Sequence, residues 1–107
     1  MTGAERTALA LVLHFGYGSP VPARLLALYP DGESLWEESP FSLSFRTGLA
    51  ETRAGFLGRR RQLLEGAERL ADRAAAAGCT LLCLTGPGYP EPLRHIHAPP
   101  AVLSSRA

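Results

Sequence analysis

The residues in this chain best suited to chemistry are the run Phe15-Gly16-Tyr17-Gly18-Ser19-Pro20. Two glycines at this spacing let a backbone turn sharply and approach another group with no Cβ in the way. Their N–H groups, with the first turn of a following helix, can hold an anion such as a phosphate. Gly16, Tyr17, Gly18 and Ser19 are therefore candidate phosphate contacts, with Arg24 one turn into the next helix. Pro20 and Pro22 remove two amide donors from the same stretch. The competing reading is a tight turn between helices, with Phe15 and Tyr17 in the core. A second cluster is Arg59-Arg60-Arg61, with Arg53 before it and Arg69 and Arg73 after it. Guanidinium forks can grip a nucleic-acid backbone or an acidic partner. Glu65, Glu68 and Asp72 follow within helical reach, so a solvated face laced by pairs such as Arg61 with Glu65 is the other reading.

Other chemistries find less support. His14, His95 and His97 with Cys79 and Cys83 give the spacing C-x3-C and H-x-H, which fits no zinc site; structural sites favour C-x2-C and H-x3-H. No Ser/His/Asp set, carboxylate pair or P-loop stands out. Gly86-Pro87-Gly88 reads as a turn rather than a nucleotide loop. No enzymatic activity, cofactor or metal is expected. Asp31, Glu33, Glu37 and Glu38 flank Trp36 and would repel DNA, so that face should point away from any nucleic acid. Trp36 itself reads as core.

The elements that must position these residues can be marked along the chain. Thr2-Gly3-Ala4-Glu5 is a capping box, and the helix it opens should run to about His14. Ser19-Pro20 restarts a helix, with Ser19 as cap and Pro20 at the first position. Tyr29-Pro30-Asp31-Gly32 is a turn. A short acidic helix with Leu35 and Trp36 follows. Ser39-Pro40 caps another helix, carrying Phe41, Leu43 and Phe45 and ending at Thr47-Gly48. From about Ala50 to Ala77 the apolar spacing is helical, with a break expected near Gly58. Gly78 is a C-cap. Thr80–Leu84 and Ala101–Leu103 are strand candidates. The spacing predicts a bundle of about four to six helices over residues 1–78, with Leu13, Leu25, Leu28, Trp36, Leu63 and Leu70 buried. A strand-containing connector covers 79–107, packing through Leu82, Leu84, Leu93 and Ile96 or borrowed by a second copy in a homodimer.

That connector carries a resemblance. Tyr89, Pro90, Leu93, Ile96, Pro99, Pro100 and Leu103 spell Y-P-x-x-L-x-x-I-x-x-P-P-x-x-L. This is similar to a segment of the DprA-like DNA-processing proteins, the recombination mediators of natural transformation. The Gly16-Tyr17-Gly18 turn likewise resembles the hairpin of helix-hairpin-helix DNA-binding modules. The resemblance implies a mostly α, SAM-like or helix-hairpin-helix-like domain ahead of a Rossmann-like domain. It also implies that the chain is an N-terminal piece or a shortened relative. For the parent protein it implies binding of single-stranded DNA and loading of the RecA recombinase. This chain would then be an auxiliary DNA-contact or docking domain. A helical protein–protein interaction module with no nucleic-acid role is the alternative.

Composition bounds both readings. A chain of 107 residues suits one domain, which buries roughly 65% of its unfolded surface. An apolar content of 46% argues against disorder. No apolar run nears the ~20 residues of a membrane span, and no basic leader is visible near Met1. Cys79 and Cys83 read as small buried side chains in a reducing, cytoplasmic setting rather than as a disulfide. Every basic residue apart from histidine is arginine, and the net charge is only +1. Nucleic-acid binding by the whole surface therefore gains no support.

Overall fold

The computed structural model describes residues 2–84, 88–96 and 99–106, with backbone alone for 105 and 106. The expectations for Gly86-Pro87, His97 and Ala98 lie outside the described residues. The chain is mostly helical. Its elements are α1 (Gly3–Phe15), α2 (Val21–Leu28), α3 (Glu33–Trp36), α4 (Pro40–Thr47), a 3-10 helix (Arg53–Arg59), α5 (Arg60–Ala76), β1 (Cys79–Cys83), α6 (Glu91–Arg94) and β2 (Val102–Arg106). The strands pair antiparallel, with Leu82 opposite Leu103 and Cys83 opposite Val102.

Helix α1 starts where its cap predicts: Thr2 Oγ1 accepts from the Glu5 N–H at 3.1 Å. Thr7 through Val12 are six successive buried residues. A helix with no wet face over such a span must lie inside the structure, and the other elements wrap around it. Its main neighbour is α5, and contacts along the two run in opposite senses. Arg6 Nη2 meets Glu68 Oε1 at 3.2 Å, whereas Leu13 lies beside Gly66, where an added Cβ would come within 3.2 Å of Leu13 Cδ1. Near its start α1 meets the Tyr29–Gly32 turn. Gly32 has φ +77, and a Cβ there would stand 2.9 Å from both Ala4 Cα and Thr7 Cβ, so only glycine fits. Just beyond that turn, Trp36 Nε1 donates to the buried Thr7 Oγ1 at 2.9 Å.

Several expectations are corrected. Leu13 and Leu28 are exposed, at 42% and 55%, and Leu70 is half-buried. Periodicity cannot tell the core stripe from its flanks when a neighbouring helix covers only part of the face. Leu25, Trp36 and Leu63 are buried as expected. Helix α2 begins at Val21 with Pro20, not Ser19, at its N-cap and no side-chain cap; the Ser19 hydroxyl accepts from the Val21 N–H at 3.2 Å, a local turn one residue outside the helix. The long helical pattern breaks at Arg59, where φ −108 and ψ 21 join the 3-10 helix to α5. Cys79 is only half-buried, whereas Cys83 is buried. The connector packs through Cys83, Ala101 and Val102, and Leu93 and Ile96 stay exposed. Helix α6, one turn over Glu91–Arg94, has no counterpart among the expected elements. Tyr89, the first residue of the proline-rich segment, donates its hydroxyl to the Pro100 carbonyl at 2.7 Å and closes that segment on itself.

Three outcomes follow for stability. Thr7→Val leaves the Trp36 indole N–H buried without an acceptor, and should cost about 1–3 kcal/mol in urea unfolding. The Tyr29 hydroxyl is buried with no partner among the described residues, so Tyr29→Phe should be neutral or stabilising; a large loss would contradict this. In native-state hydrogen exchange the β1–β2 ladder should open before α1, because a two-stranded sheet is marginal by itself.

Candidate anion-binding surface

The turn after α1 is built by hydrogen bonds that spend part of the expected site. Gly16 has φ +98, and its N–H closes α1 on Val12 O at 2.9 Å. The Ser19 N–H donates to Gly16 O at 3.3 Å. Ser19 is thus committed to the turn, through its N–H to Gly16 O and its hydroxyl to the Val21 N–H. The N–H groups of Tyr17 and Gly18 have no acceptor among the described residues. Nothing lies within 4 Å of a Cβ built on Gly16 or Gly18, so the turn is open to approach. Tyr17 is exposed, which removes it from the core. Phe15 is half-buried and packs against the core.

An aromatic knot fixes the basic residues beside this turn. The Phe56 ring meets Phe15 at 5.1 Å, His14 at 5.5 Å and Trp36 at 5.8 Å between centroids. This pins the 3-10 helix to the end of α1. Arg53 lies over the Phe15 ring, 5.8 Å from its centroid. The pKa of His14 is lowered, first by burial and then by the charges of Arg59 and Arg53.

The expected arginines do not form one site. Arg59 donates from Nε to Gln62 Oε1 at 3.4 Å. Arg61 pairs with Glu65 at 3.2 Å on an outer face of α5, its side chain 92% exposed. Arg60 is exposed, with no partner among the described residues. Arg24 instead lines a groove with Arg46 and Arg53. Arg46 was missed by sequence reasoning. Its only signal was its place just before Thr47-Gly48, where the left-handed Gly48 (φ +75) turns the chain back.

The acidic residues have local tasks. Asp31 Oδ1 accepts from the Ser34 hydroxyl at 2.6 Å, which holds its carboxyl below the usual value. Glu38 stands 3.8 Å from Arg46. Of the acidic residues around Trp36, Glu38 thus lies near one of the groove arginines. Burial, with the Glu5 charge second, pushes the Cys83 thiol up to about 11. Among the described residues no three His, Cys, Asp or Glu side chains gather as metal ligands, and no helix is long and apolar enough to cross a membrane.

The lowered His14 pKa has a definite sign. The unfolded chain takes up the proton first, so stability is full above about pH 6.5 and falls as pH drops toward the lower folded value. His14→Gln should flatten that part of a Tm-against-pH curve, and an unchanged slope would remove His14 as its source. An anion bound at Arg53 and Arg59 should raise the His14 pKa, which NMR titration reads directly. No protein-family model, curated protein or solved structure matches the chain.

Proposed function

We propose that this chain is an auxiliary DNA-contact module of the kind that precedes the Rossmann-like domain in DprA-like DNA-processing proteins. In that setting the whole protein would bind single-stranded DNA and load the RecA recombinase, and this domain would add a weak backbone contact. The observation behind the reading is the meeting of two donor sets at the end of α1. The open Tyr17 and Gly18 amides lie on the turn itself, and the Arg53 guanidinium lies over the Phe15 ring at the end of α1, with Arg59 at the other end of the same 3-10 helix. Backbone amides and arginine forks are the two groups that hold phosphates without reading bases. A second reading, a protein-docking module, draws on Phe41 and Phe45. Both are exposed on α4, Phe45 at 85%, and they stand one turn apart.

Fluorescence anisotropy with single- and double-stranded oligonucleotides separates the two readings. DNA contact predicts a Kd near 10⁻⁴ M, the weak end of non-specific binding, and a log–log salt slope of about −2 for two or three phosphates. Arg53→Ala with Arg59→Ala should abolish it, whereas Arg61→Ala, which breaks an exposed pair, should change little. Gly18→Ala keeps the fold, because Gly18 is not left-handed and has open space around it. It should still weaken binding if the amides touch phosphate. No salt-dependent response to either oligonucleotide would leave the docking reading.

A further inference from the structure

Between α2 and the turn after α4 lies a groove of about 530 Å³. This falls within the roughly 300–1,000 Å³ of small-ligand clefts. Its apolar lining includes Val21, Leu25, Leu28 and Leu49. Three arginines from three elements line it as well: Arg24 from α2, Arg46 from α4 and Arg53 from the 3-10 helix.

Their partners leave most donors unused. Glu38 Oε2 is 3.8 Å from Arg46 Nε, well beyond the ~2.7–2.9 Å of a charge-assisted hydrogen bond. Arg53 spends the face of its guanidinium on Phe15, which leaves its in-plane N–H groups available. Arg24 has no side-chain acceptor among the described residues. Three exposed cations line one open groove with a single carboxylate 3.8 Å from one of them, and their summed potential favours an anion there. A phosphate monoester carries about −1.5 to −2 charge and three acceptor oxygens. It matches several arginine forks better than one carboxylate can.

We propose that this groove binds a small organic phosphate monoester. The phosphoryl group sits among Arg24, Arg46 and Arg53, and the apolar or aromatic body lies against Leu25, Leu28 and Leu49. The groove shares Arg53 with the surface beside the Gly16–Ser19 turn, but Arg24, Arg46 and the apolar lining belong to it alone, so the proposal stands whether or not that turn contacts DNA.

The test is an NMR titration of the full chain with phenyl phosphate, inorganic phosphate and phenol. Phenyl phosphate should shift the amides of Leu25, Gly48 and Leu49. It should bind about tenfold more tightly than inorganic phosphate, because burying the ring adds apolar contact. Arg46→Gln should weaken it about tenfold without changing Tm or the response of the Tyr17 and Gly18 amides to DNA. Arg24→Gln should do the same to the ester, as a second variant. The proposal fails if phenyl phosphate leaves the groove amides unmoved, or if phenol binds as well. It fails too if inorganic phosphate matches the ester, or if both variants bind like the wild type.

Discussion

Six successive residues of α1, Thr7 to Val12, are buried, and this dry helix sets the rest of the structure. A helix closed to water all round needs partners on every side. On one side α5 supplies them, with Gly66 making room for Leu13. On another, Gly32 lets the turn before α3 approach to near van der Waals contact with Ala4 and Thr7. The single buried polar side chain of that stretch, Thr7, takes the Trp36 indole N–H. A buried donor and acceptor that satisfy one another cost little, whereas either alone costs much. The pair therefore fixes where α3 docks.

The same helix governs the basic surface through its last turn. His14 and Phe15 meet Phe56, and Phe56 meets Trp36. The aromatic knot thus joins the core to the 3-10 helix that carries Arg53 at one end and Arg59 at the other. Arg53 faces two ways. It stacks on Phe15 beside the glycine turn and lines the groove with Arg24 and Arg46. Charge at the turn and charge in the groove are linked through this one side chain.

The connector depends on the bundle more than on its own sheet. Its strands form one antiparallel pair. Its buried residues, Cys83, Ala101 and Val102, join the core built around α1, and the Cys83 thiol points to Glu5 O at 3.9 Å. The Tyr89–Pro100 hydrogen bond ties two positions of the proline-rich segment to each other, so part of that segment's spacing serves its own closure.

Local chemistry was legible in the sequence. Caps at Thr2 and Ser39, turns at Gly16, Gly32 and Gly48 and a break close to Gly58 follow from short-range rules of hydrogen bonding and φ. These depend on neighbours a few residues apart, which the sequence states outright. Which apolar face is core was only half legible. Leu25 and Leu63 are inside, yet Leu13 and Leu28, at equally good spacing, are not. The basic surface was less legible still. Arg59, Arg60 and Arg61 are adjacent in sequence but part company at the start of α5, where successive side chains point about 100° apart. Arg24, Arg46 and Arg53, from three separate elements, come to line one groove. Charge convergence over such separations is set by how helices pack around α1, and only the tertiary structure decides that.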